Sequence, residues 1–122
     1  MTVIAVLVAG ALGAVARFVV DGAIKQWRPT TFPWATLLIN VTGSLLLGVL
    51  AGLVISHGAP GELQVIAGTG FCGGYTTFST ASVESVRLVQ QRHGVLGLIN
   101  AVGSVVGSVA ACAGGLALAW AI

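Results

Sequence analysis

The 122-residue sequence is 57% hydrophobic and only 7% charged, with a formal net charge of +2. Soluble domains carry about 25% charged residues, so neither a water-facing globular surface nor a disordered chain fits this composition. The mean hydropathy of +1.04 instead places the chain among polytopic membrane proteins, and the small net charge gives no reason to expect nucleic acid as a partner.

A helical span needs about 20 apolar residues. Four such spans with short connectors account for the whole length, which predicts one all-α, four-helix membrane domain over residues 1–122. Span 1 is expected from about Val3 to Val20, with Arg17 as its one charge. Ala14-Val15-Ala16 has the small-residue form of a signal-peptidase site, but no positive residue precedes the apolar run, so the segment reads as a retained span. Span 2 is expected from about Pro33 to Ile55, with Pro33 at its first turn and Trp34 at the membrane interface. Asn40 lies within this span. An amide there either bonds a neighbouring helix or faces a polar pathway, because burying it without partners is costly.

Span 3 is expected from about Leu63 to Val86. Gly68, Gly70, Gly73 and Gly74 precede Tyr75-Thr76-Thr77-Phe78-Ser79-Thr80. Each glycine weakens a helix by about 1 kcal/mol relative to alanine, which predicts an interruption near mid-membrane. Irregular backbone at that depth must be buried or line a cavity, and it commonly offers carbonyls and N–H groups to ions. Close helix packing is the alternative use of these glycines. Glu84, toward the end of this span, either snorkels to the interface or serves a function.

Span 4 is expected from about Val95 to Ile122, with Trp120 as an interfacial anchor. Asn100, Ser104 and Ser108, four residues apart, form one polar stripe. They serve either interhelical hydrogen bonds or one wall of a hydrophilic track. Gly48 with Gly52, and Gly103 with Gly107, read as packing faces. Cys72 and Cys112 read as buried free thiols. No metal-ligand spacing and no nucleophile–base pair supports an enzyme.

Three stretches carry a resemblance: Gly10-Ala-Leu-Gly13-Ala-Val-Ala-Arg17, Phe32-Pro-Trp-Ala-Thr36-Leu-Leu-Ile-Asn40-Val-Thr-Gly43-Ser, and Gly70-Phe-Cys-Gly-Gly-Tyr-Thr-Thr-Phe-Ser-Thr80 followed by Glu84. Together they resemble the CrcB/Fluc fluoride channel family across all four spans, the third stretch being long and specific. The resemblance implies a passive, fluoride-selective channel of the plasma membrane that lets cytoplasmic fluoride leave and so reduces its toxicity. It also implies an antiparallel dimer with two pores and a central structural sodium ion. The sodium would be held by the Gly73 and Thr76 carbonyls. Asn40 would be a pore-lining donor, Phe78 would present its ring edge to the anion, and Ser79 and Thr80 would add hydroxyls. Thr36 is a further polar candidate, and Arg17 would set the vestibule potential. Such donors can replace the water of a small, strongly hydrated anion without a fixed cation in the pore.

One position departs from the family pattern, which reads Thr-Thr-Phe-Ser-Thr-Phe: the second phenylalanine is Ala81 here. The charges add a second point. Spans 1 and 3 end on one side, which receives Lys25, Arg28, Arg87 and Arg92, while the opposite side has no Lys or Arg. The positive-inside rule then places both termini outside. A chain of fixed orientation needs a differently oriented partner to make an antiparallel pair, so a heterodimer with a paralogue is expected over a dual-topology homodimer. Two other readings stand beside the channel: a non-conducting structural subunit, which Ala81 keeps open, and a small four-span proton-coupled exporter. The exporter needs a membrane carboxylate early in the chain, and span 1 has none.

Overall fold

The computed structural model describes residues 1–27 and 32–122, and every element among them is helical. Arg28, one of the four cations of the charge count, lies outside the described residues.

Helix α1 (Thr2–Trp27) runs past the expected end at Val20. Its last turns carry polar residues joined by an Asp21–Lys25 ion pair at 3.1 Å, one helical turn apart, so the helix outlasts its apolar stretch. Helix α2 (Trp34–His57) ends at Gly58, whose left-handed φ of 66° lets its N–H turn back to the Leu53 carbonyl. Helix α6 (Gly94–Ala121) is the last element. These three helices are each long and apolar enough to cross a membrane. Their exposed faces are apolar, with Leu7, Leu12, Phe18, Val102 and Val106 all more than half exposed, as a hydrocarbon solvent requires.

The third hydrophobic region is assembled from pieces. Helix α3 (Gly61–Leu63) leads into a π-helical stretch (Gln64–Cys72), which passes into α4 (Gly73–Tyr75). Thr76 and Thr77 then take extended backbone, with φ/ψ of −80°/160° and −149°/119°. Helix α5 (Phe78–Gln90) follows, its start capped by the Thr77 hydroxyl, which accepts from the Thr80 N–H at 3.1 Å.

The glycines of this region lie in the helical part rather than in the extended pair. Gly68, Gly70 and Gly74 are contact points, whereas Gly73 has open space beside it. A Cβ on Gly74 would overlap the Gly10 carbonyl, one on Gly13 would overlap the Phe71 carbonyl, and one on Gly70 would sit 3.0 Å from Ala9 and the Val6 carbonyl. Helix α1 therefore packs directly against the π-helical stretch and α4, backbone to backbone.

Helix α2 packs along α6 in the same manner. Gly48 meets the Cys112 carbonyl, Gly115 meets the Leu45 carbonyl, and Gly52 meets Ala119, which is fully buried. At one end of this pair His57 donates from Nε2 to the Ala119 carbonyl at 2.7 Å. Since a carbonyl only accepts, the ring carries its proton on Nε2. The Gly103/Gly107 pair behaves differently: Gly107 approaches Val41, but a Cβ on Gly103 would meet nothing within 4 Å. Both cysteines are free, Cys72 buried and Cys112 half-buried.

Candidate functional site: a cleft beside a bent helix

Residues 36, 40 and 44 share one face of α2 by their four-residue spacing. Thr36 is 2% exposed and Asn40 9% exposed. Asn40 reaches the extended pair across 37 residues of sequence. Its Oδ1 accepts from the Thr77 N–H at 2.8 Å, and its Nδ2 donates to the Thr77 carbonyl at 2.9 Å. One side chain thus satisfies both main-chain groups of a residue outside any helix, as a low-dielectric setting demands. One amide N–H of Asn40 remains after these bonds.

The neighbouring contacts fix the same segment. Gly43 leaves room for the Thr76 methyl and the Tyr75 ring. The Tyr75 hydroxyl lies 3.1 Å from Thr42 Oγ1, and the Tyr75 ring stacks on Phe71. The Thr76 hydroxyl donates to the Cys72 carbonyl at 2.8 Å.

Between α2, the extended pair, α5 and α6 lies a cleft of about 610 Å³. Asn40 and Ser44 line it from α2, Thr76 and Thr77 from the extended pair, Ser82 and Ser85 from α5, and Ser104 and Ser108 from α6. Phe78 and Ala81 from α5 and Ala101, Val105 and Val109 from α6 supply the rest of the lining, so most of its surface is apolar. Amides, hydroxyls and one phenyl ring make up its polar and aromatic surface, and no charged side chain lines it among the described residues. The Ser104 hydroxyl is buried and takes no hydrogen bond among the described residues.

Asn100 supplies the interhelical hydrogen bonding that the spacing of the α6 stripe allowed. Asn100, fully buried, donates to Ser85 Oγ at 2.8 Å and to the Ala81 carbonyl at 3.4 Å, fastening α6 to α5. Ser104 and Ser108, one and two turns on, face the cleft.

The structure brings Asn40, Thr76 and Phe78 together at this cleft. Phe78 is 83% exposed in the single chain. Ser79 and Thr80 are exposed, and they lie outside the cleft lining together with Thr36 and Arg17. Gly73 is exposed, with open space where its Cβ would be. The Thr76 N–H bonds the Cys72 carbonyl, the Thr77 N–H bonds Asn40 Oδ1 and the Thr80 N–H bonds the Thr77 hydroxyl, so the donors a regular helix would give the Gly73 and Thr76 carbonyls are spent elsewhere. Glu84 has one carboxylate oxygen buried without a hydrogen bond among the described residues, so it does not extend fully into solvent. Ser44, Ser82 and Ser85 escape a reading by motif alone. The signal for Ser44 is its four-residue step from Asn40, and for the α5 serines their three-residue step along one helix face.

The family model described as CrcB-like protein, Camphor Resistance (CrcB), matches residues 4–116. The chain belongs to the CrcB family. Its relatives include the fluoride-specific ion channel FluC 1 of Leifsonia xyli subsp. xyli, 54% identical over 103 residues, or 84% of this chain and 75% of the relative. The fluoride-specific ion channel FluC 2 of Cutibacterium acnes is 45% identical over 119 residues, 97% of each chain. The fluoride-specific ion channel FluC of Nitrobacter winogradskyi is 43% identical over 115 residues, 93% of this chain and 91% of the relative. This CrcB family member is accordingly a multi-pass integral membrane protein, its three long apolar helices joined by one bent and segmented one.

Proposed function

We propose that the chain is a subunit of a passive, fluoride-selective channel in the plasma membrane that lets cytoplasmic fluoride leave. The observation that carries this reading is an uncharged, largely apolar cleft into which a few donors are set: Asn40, Ser104 and Ser108, together with the Phe78 ring. The printed names of the relatives above support fluoride as the ion. Hydrogen-bond donors and a ring's positive edge can stand in for the water that fluoride sheds. A fixed lysine would hold the ion more tightly and slow its release. On this reading Ser79, Thr80, Thr36 and Arg17 act outside the cleft, at its approaches or across an interface.

The third span is then a helix broken near mid-membrane at Thr76–Thr77. A structural sodium ion fits the residues at the break. The N–H groups of Thr77 and Thr80, which a regular helix would give to the Gly73 and Thr76 carbonyls, bond Asn40 and the Thr77 hydroxyl, and a small hard cation takes oxygen ligands of this kind. When bound, the ion would supply fixed positive charge that joins two breaks. Two carbonyls from one chain are too few to enclose a cation, which favours an antiparallel dimer bringing two breaks together. The exposed Phe78 ring is a natural surface for such a partner. The charge bias of Lys25, Arg28, Arg87 and Arg92 favours a paralogue as that partner over a second, inverted copy.

A second reading has its own observation. Ala81 replaces the ring that the family pattern carries, so this chain could serve as a non-conducting subunit beside a conducting one. Fluoride efflux from liposomes, followed with a fluoride electrode, separates the cases. Efflux of fluoride without chloride is the expected result, from the chain alone or with its paralogue. Silence in both preparations would overturn the channel reading. In the co-assembled protein, Asn40→Asp places a negative charge in the path and should reduce efflux about tenfold or more, the effect of roughly 1.4 kcal/mol of repulsion. Unchanged efflux would leave this chain a structural role.

A further inference from the structure

In an uninterrupted α-helix the Thr77 N–H would bond the Gly73 carbonyl four residues back. Here that N–H is given to Asn40 Oδ1 at 2.8 Å. The next available donor, the Thr76 N–H, is engaged with the Cys72 carbonyl at 2.9 Å. The Gly73 carbonyl therefore loses the main-chain donor that a regular helix would give it, because Asn40 has taken that partner. The second Asn40 bond, Nδ2 to the Thr77 carbonyl at 2.9 Å, holds the same peptide from its other end. Thr77 in turn caps α5 through its hydroxyl, so the bend and the start of the next helix depend on one side chain of α2.

We infer that Asn40 is a positioning residue for a cation: by diverting the Thr77 N–H it frees the Gly73 carbonyl to act as a ligand. This rests on the sodium reading above, and it gives Asn40 a task separate from any contact with the anion. The remaining Asn40 N–H belongs to the anion cleft, and its other amide atoms belong to the cation site. The two sites thus share one residue, and a change in the amide should register at both.

Two substitutions separate the tasks. Asn40→Asp keeps an oxygen that can accept the Thr77 N–H, gives up the Nδ2 donation to the Thr77 carbonyl, and places a negative charge at the cleft. Asn40→Ala removes the acceptor, and the Thr77 N–H then returns to the Gly73 carbonyl and heals the helix. The readout is the melting temperature of the assembled, detergent-solubilised protein as sodium replaces N-methylglucamine, with fluoride efflux measured in parallel. Wild-type protein should show a saturable, sodium-specific rise. Asn40→Asp should retain that rise while losing efflux. Asn40→Ala should need about tenfold more sodium or more for half the effect, the loss typical of removing a group that orients a metal ligand, or lose it entirely. If Asn40→Ala does not purify folded, Asn40→Ser, whose hydroxyl stops short of the Thr77 peptide, takes its place with the same expected result. A wild-type-like sodium response in Asn40→Ala or Asn40→Ser would overturn the inference while leaving the sodium reading intact. No sodium response in wild type would overturn both.

Discussion

Asn100 on α6 and Ser85 on α5 are joined by a 2.8 Å hydrogen bond at full burial of the asparagine, and Ser85 passes the interaction on to the Ala81 carbonyl at 2.9 Å. This pair holds the two helices that frame one side of the cleft. Interhelical hydrogen bonds in membranes are worth about 0.6 kcal/mol on average and up to about 1.7. A double-mutant cycle of Asn100→Leu and Ser85→Ala, read by thermal unfolding in detergent, should give a coupling energy in that range. Strict additivity would show that the contact carries no stability.

Ser104 presents the opposite case. Its hydroxyl is buried and makes no hydrogen bond among the described residues, so Ser104→Ala should cost little or no stability, since removing an unsatisfied polar group relieves its desolvation. Efflux should fall about two- to tenfold if the hydroxyl solvates the passing anion, the equivalent of one net hydrogen bond. A stable variant with unchanged efflux would take Ser104 out of the path.

Phe78 and Ala81 stand one turn apart on α5 and both line the cleft. Phe78→Ile should lower efflux, because an aliphatic side chain lacks the positive ring edge. Ala81→Phe should fold, because its side chain has the cleft to enter. The check is a monodisperse elution profile and a melting temperature near that of wild type. Aggregation or a large drop would mean that the position is overpacked by the ring, which typically costs about 1–3 kcal/mol.

Gly48 and Gly103 make a matched pair on the two packed helices. A methyl at Gly48 would overlap the Cys112 carbonyl, whereas one at Gly103 would meet nothing within 4 Å. Gly48→Ala should destabilise by about 1–3 kcal/mol, as the backbones are forced apart. Gly103→Ala should be neutral within the subunit. If Gly103→Ala instead shifts the dimer–monomer equilibrium, measured by single-molecule photobleaching in liposomes, that face lies at the subunit interface.

The expected orientation rests on charges in short loops and at span ends, where the positive-inside effect is strongest. In a background lacking Cys72 and Cys112, single cysteines at Thr2 and at Gln26, both exposed, should report opposite sides. Labelling from outside the cell confined to the Thr2 position is expected. Comparable labelling at both positions would establish dual topology and remove the need for a paralogue.

Much of the architecture was legible in local sequence. Apolar length and scarce charge determined a helical membrane protein, because a backbone in hydrocarbon must satisfy its own hydrogen bonds. The Gly48/Gly52 face and the Asn100–Ser104–Ser108 stripe followed from helical spacing alone. Tertiary structure decided where the third region leaves the helix and what its polar residues do. Within the run from Gly68 to Thr80 the glycines stay helical, and Gly68, Gly70 and Gly74 serve close contacts with Leu47 and with α1, the packing use that their spacing also allowed. The backbone turns extended at Thr76–Thr77, where Asn40 bonds both main-chain groups of Thr77. No local propensity encodes that choice. It depends on a hydrogen-bonding amide brought from 37 residues away by the packing of α2, and in a medium without water such a partner decides which backbone conformation survives.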